Sequence, residues 1–273
     1  MRFQRKSTIA YMFRNFWQLV YIPLPVCVLI AFFYNPSQEI SLISALIQSE
    51  VSMDNYLYLL TQNLTILRLG KYWWVVLIAI VLLAVTMCLM VVKMDRHMRM
   101  GKMPAFPLKR SLPIFPFMLA YIVGCLVATE LAILVVVGIC YMLRVIGNAT
   151  AVVTIALALT FVVRVLLTYA FGLLIITFPL KYSENYRFNV AMSYSARVMS
   201  TKRLQLVGLA LLYPTARIAV MALASVLEPF LLDVLVYAVT ITLCLVFIPC
   251  YAFKKFYDDV GGERRDLREK LFD

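Results

Sequence analysis

Six apolar runs, each long enough to cross a bilayer, constrain this chain more than any other feature. About 20 apolar residues in a helix span the hydrocarbon core, where every backbone amide must bond within its own segment because there is no water to bond to. Such runs occur at Phe16 to Phe33, Tyr72 to Val92, Leu112 to Leu143, Ala151 to Leu180, Leu204 to Phe230 and Val234 to Phe253. Composition agrees: 63% of the 273 residues are apolar and 15% charged. An average soluble domain has about 45–50% and 25%, so the surplus must face lipid. This excludes a soluble enzyme, a disulfide scaffold and a disordered tail. The expected fold class is all-α, a polytopic membrane protein of about six transmembrane helices. The third and fourth runs approach 45 Å as helices, so they must tilt, kink or project from a core of about 30 Å.

Lysine and arginine orient the expected bundle. Arg2, Arg5, Lys6 and Arg14 precede the first run, and Lys93, Arg96, Arg99, Lys102, Lys109 and Arg110 lie between the second and third. Lys181, Arg187, Arg197, Lys202 and Arg203 lie between the fourth and fifth, and Lys254, Lys255, Arg264, Arg265, Arg268 and Lys270 follow the last. The other side receives only Arg68, Lys71 and Arg144. Cytoplasmic loops carry the excess of cations, so both termini are expected in the cytoplasm and the chain in the cytoplasmic membrane. The formal net charge of +12 then reflects topology, and nucleic acid is not an expected partner. No small-x-small cleavage site follows the first run, which ends Phe32-Phe33-Tyr34; it is expected to remain as an anchor.

A single integral membrane domain is expected over 1–273: an interfacial helix at 1–15, a six-span bundle at 16–253 and a charged cytoplasmic tail at 254–273. The external stretch from Asn35 to Gly70 carries Leu57, Leu60, Leu64 and Leu67 at helical spacing, which suits a helix lying in the outer interface or capping the bundle. The basic N-terminal helix would favour anionic headgroups. Between the fourth and fifth runs, Phe188, Ala191, Met192, Ser195, Val198 and Met199 recur at helical spacing among Arg187, Arg197 and Lys202. Two readings stand. The segment is an interfacial helix tucked under the bundle, or it docks a cytoplasmic partner through Phe188, Ala191, Ser195, Arg197 and Met199, as export permeases engage their ATPases.

Several of these residues form a pattern. Phe178-Pro179, Ala191-x-x-x-Ser195, Lys202-Arg203-Leu204 and Gly208-Leu209 stand in order, and the chain closes with Phe256-Tyr257-Asp258-Asp259 and Glu263-Arg264-Arg265-Asp266-Leu267. Asn15-Phe16-Trp17 follows the basic N-terminal helix. This resembles bacterial multipass proteins related to the membrane domain of glycerophosphodiester phosphodiesterases and to YciC-like inner-membrane proteins, chiefly over the last third. Thr201 stands where that pattern usually has glycine. The resemblance implies six helices and an envelope role without catalysis, since the phosphodiesterase catalytic domain is not in this sequence.

Three ionisable residues fall inside the runs: Glu130, Arg164 and Arg217. Charges at such depth are costly, so they pair or line a wet cavity. Glu130 and Arg164 are equally distant from Gly147, which places them at matching depths of an antiparallel hairpin and suits an ion pair. Pro214, three residues before Arg217, cannot donate to the carbonyl of Ala210 and favours a kink there. Two arginines against one glutamate would tolerate an anionic guest such as a lipid phosphate.

Other chemistry is sparse. His97 is the sole histidine and is expected at the solvated surface, so zinc-hydrolase spacing cannot be met. The cysteines, Cys27, Cys88, Cys125, Cys140, Cys244 and Cys250, lie in apolar runs without a CxxC pair and read as small buried hydrophobes. There is no GxxxxGK[ST] loop and no G-x-S-x-G elbow. No metal and no cofactor is expected, and no enzyme activity. The expected role is that of a non-enzymatic membrane protein in envelope or lipid homeostasis or in membrane-complex assembly, with membrane lipids, including anionic ones, as partners. The alternative is the permease subunit of an export transporter working with a separate ATPase.

Overall fold

The computed structural model describes residues 8–34, 61, 73–104, 107–143, 145, 149–225 and 230–260. The external stretch with Leu57, Leu60, Leu64 and Leu67, the hairpin turn at Gly147 and the closing Glu263 to Leu267 motif lie outside the described residues. The elements are α1 (Thr8–Arg14), α2 (Phe16–Val20), α3 (Pro23–Tyr34), α4 (Trp73–Met100), α5 (Leu108–Ser111), α6 (Phe115–Leu143), α7 (Ala149–Leu173), α8 (Thr177–Ser183), α9 (Phe188–Ser200), α10 (Arg203–Ser225) and α11 (Phe230–Val260). Among the described residues all regular structure is helical, as the apolar runs require.

Among the described residues four segments are long and apolar enough to cross a membrane: Trp73–Met100, Leu108–Leu143, Thr154–Ser183 and Val234–Asp258. Pro23–Phe33 and Arg203–Leu212 are apolar but shorter. The first apolar run is divided because Pro23 and Pro25 open α3, where the missing N–H groups cost nothing, and Tyr21 and Ile22 form a turn ahead of them. The fourth run is divided too: α7 ends at Leu173, and Leu174 to Ile176 turn into the short α8.

The long helices close on one another. α4 packs on α6, α6 on α7, α7 on α10, α10 on α11, α11 on α3 and α3 on α4, with α4 and α11 also in contact. Close approach of α3 to α11 is made by small residues, Cys27 and Ala31 meeting Val234 and Ala238. Small side chains let helices pack tightly where lipid supplies no hydrophobic drive for association. Gly172 serves α7 and α10 in the same way: a Cβ there would stand 2.9 Å from Leu206 Cδ2.

The main core sits at one end of the bundle. It joins Tyr11, Met12 and Leu19 to the second half of α4, the start of α6, Phe178 and Leu180 of α8 and the last part of α11. α1 packs on α11, so the two ends of the described chain meet there. α11 continues unbroken to Val260; the segment from Lys254 onward, expected as a tail, begins as the last turns of that helix, with Lys254 Nζ 2.6 Å from Asp258 Oδ2. Cys27, Cys88, Cys140 and Cys250 are fully buried and every cysteine is a free thiol, in keeping with their apolar settings.

Candidate functional site: the basic end of the bundle

At the end where α4 and α11 finish and α6 and α10 begin, cations crowd against the packed core. Arg14, Lys93, Arg96, Arg99, Lys102, Lys109, Arg110, Lys181, Arg187, Arg197, Lys202, Arg203, Lys254 and Lys255 all belong to it. Lys93, Arg99 and Lys254 are held there by specific partners.

Asp95 is the hub. It is 5% exposed, and its Oδ1 accepts from Ser183 Oγ at 2.8 Å and Tyr257 Oη at 2.9 Å, with Arg99 Nε at 3.0 Å. Arg99 Nε also donates to Tyr257 Oη at 2.8 Å, and its Nη2 to the Ser183 carbonyl at 3.4 Å. A buried carboxylate needs this many donors to offset its lost hydration. The result ties α4, α8 and α11 together. The sequence singles out neither Asp95 nor Ser183; Arg99 stands in it only as one of the loop cations and Tyr257 only as part of the closing Phe256 to Asp259 motif.

Two further contacts fix the N-terminal helices. Lys93, 1% exposed, donates from Nζ to the Gln18 carbonyl and lies 4.1 Å from the Tyr21 ring centroid. A cation is favoured at that place, the C-terminal end of α2, where carbonyls lack helical partners. His97 is not a solvated surface residue: it is half-buried, with Nδ1 2.5 Å from Tyr11 Oη and the two rings 5.5 Å apart. The docking of α1 onto the bundle encloses it.

Ser195 stitches the α7–α8 break. Leu174, Ile175 and Thr177 bond three residues back, to Phe171, Gly172 and Leu174, which releases the Ile176 amide and the Leu173 carbonyl. Ser195 Oγ accepts from the Ile176 amide at 3.1 Å and donates to the Leu173 carbonyl at 2.8 Å. Ala191, one turn earlier, is fully buried. The Ala191-x-x-x-Ser195 spacing thus closes a buried break in the backbone. Phe178 is fully buried against Phe117 and Tyr121. Thr201 adopts a right-handed helical conformation, and its hydroxyl bonds the Val198 carbonyl, so this turn does not need glycine.

Of the five residues expected on a docking helix, Ala191, Ser195 and Met199 face inward and are buried, whereas Phe188 and Arg197 are exposed. Glu130 and Arg164 are half-buried on the adjacent α6 and α7. The ion pairs Asp95–Arg99 and Lys254–Asp258 belong to the basic end. α10 runs as one helix through position 214; the Arg217 side chain lies outside the described set.

No family model, curated protein or solved structure matches this chain.

Proposed function

We propose that the chain is a non-enzymatic, six-span protein of the cytoplasmic membrane, with both termini in the cytoplasm, that supports envelope or lipid homeostasis through contact with anionic lipid. One observation carries this reading. The described lysines and arginines, Arg164 and Arg217 apart, gather at the end of the bundle where the helices are most tightly packed. Cations beside the ends of spans mark the cytoplasmic face and attract anionic headgroups. The fifth and sixth crossings of this proposal are α2–α3, 16–34, and α10. At the helical rise they reach about 28 Å and 35 Å, close to the hydrocarbon thickness. The resemblance of the C-terminal motifs to YciC-like proteins accords with this role.

Purification in mild detergent followed by lipid analysis tests it. Retention of acidic phospholipid, without an ATPase, is the expected result; retention of neutral lipid alone overturns it. A second reading, a permease subunit, is favoured by the outer face of α9, where Phe188, Val190, Tyr194 and Arg197 are exposed. A stoichiometric ATPase that co-purifies, and is lost on Tyr194→Ala, would establish that reading instead.

A further inference from the structure

The network around Asp95 neutralises one arginine and leaves its neighbours unmatched. Arg96 follows Asp95 on α4, and its Nε is buried without a hydrogen-bond partner among the described residues. Arg110 is exposed on α5, which packs against α4. Tyr182, half-buried on α8, lies within electrostatic reach of Arg96, Arg99, Arg110 and Asp95. Glu184, the other carboxylate nearby, is exposed and acts on Arg99. Among the described residues no ion pair engages Arg96 or Arg110. A buried donor left without an acceptor is costly and calls for an occupant. Guanidinium groups suit phosphate oxygens because their planar fork presents paired donors.

We propose that Arg96, Arg110 and Tyr182 form a seat for a phosphate group, carried by a membrane lipid or free in solution. Arg96 supplies the desolvated donor, Arg110 the exposed one that swings onto the outer oxygens, and Tyr182 a hydroxyl between them. The lipid form of this seat rests on the reading of the basic end as the one that meets anionic headgroups; the free form does not.

The test uses the full chain in nanodiscs. In discs of equal phosphatidylcholine and phosphatidic acid, native mass spectrometry counts retained phosphatidic acid. The double variant Arg96→Gln/Arg110→Gln should lose about tenfold or more, as expected for charge-assisted bonds, and Arg203→Gln, a cation of the same end on α10, should lose little. Arg110→Gln alone, at an exposed position that leaves the fold intact, should lose severalfold, and Arg96→Lys should fall between wild type and Arg96→Gln. In discs of phosphatidylcholine alone, inorganic phosphate that raises the unfolding temperature of wild type but not of the double variant identifies the free form. The seat is overturned if the arginine variants keep wild-type lipid retention and phosphate response, or if Arg203→Gln falls as far as they do. Acidic lipid that stays bound to the arginine variants would leave the lipid role standing without this seat. Wild type that retains no phosphatidic acid yet responds to inorganic phosphate would do the reverse.

Discussion

At the basic end, α4 buries every residue from Thr86 to Asp95, and α11 buries Cys250 to Lys254. Towards the opposite end, α6 exposes Leu134, Val135, Ile139 and Met142. The contrast holds over whole spans: 56% of the apolar stretch of Trp73–Met100 is buried in the protein, against 6% of that in Leu108–Leu143. Both stretches are as hydrophobic as a membrane demands, so hydrophobicity cannot be what separates them. The difference is polar. Hydrogen bonds from Asp95, Lys93 and Ser195 pull α4, α8, α9 and α11 together at one end, where each partner lost would leave a buried group unsatisfied. Away from that end α3 and α11 meet through small side chains, and α6 is exposed on most faces. The lesson is that packing in this bundle follows the buried polar network, while apolar length only sets the spans.

Substitutions at the two ends should therefore differ sharply. Asp95→Ala strands Ser183, Tyr257 and Arg99 at once. Breaking a fully buried pair costs about 3–5 kcal/mol; because the Arg99 side chain is 44% exposed, water recovers part of that, and a loss of about 2–3 kcal/mol is expected. Reversible unfolding in mixed micelles measures it, and a loss below about 0.5 kcal/mol would place the hub elsewhere. Ser195→Ala should come next, at about 2 kcal/mol, since it leaves both the Ile176 amide and the Leu173 carbonyl without a partner. Hydrogen exchange at Ile176 should rise in step; unchanged protection would mean that the break is held by something else. Gly172→Ala forces the buried Leu206 to move and should cost about 1 kcal/mol, read as a lowered midpoint in the same micelles. Leu134→Ala, at a side chain 57% exposed, should change stability by no more than about 0.5 kcal/mol. A large loss there would show that α6 meets protein where lipid is expected.

Much of the frame was legible in the sequence because bilayer thickness imposes run length, and Pro23 announced the division of the first run. The second break was marked only on its flanks, by Gly172 and by Pro179 in the first turn of α8, and the turn between them depends on Ser195, which is distant in the chain. The hub was hidden for a similar reason. Periodicity reports which residues share a helix face, and it cannot report that Tyr257 and Ser183 converge on Asp95. His97 shows the reverse error. A histidine among arginines reads as solvated until α1 folds over it. Glu130 and Arg164, the residues that stood out most in the sequence, lie half-buried on α6 and α7, while Asp95, which the sequence did not single out, holds the packed end.

Cysteine labelling in intact cells tests the central claim that the packed, basic end faces the cytoplasm. Single cysteines replace Lys102, Arg187 and Val145, which are exposed at the two ends of the bundle, in a variant whose native cysteines are changed to serine or alanine. A membrane-impermeant maleimide applied outside should modify position 145 and reach 102 and 187 only after the cells are opened. Labelling of 102 or 187 from outside, or of the two from opposite faces, would contradict the account.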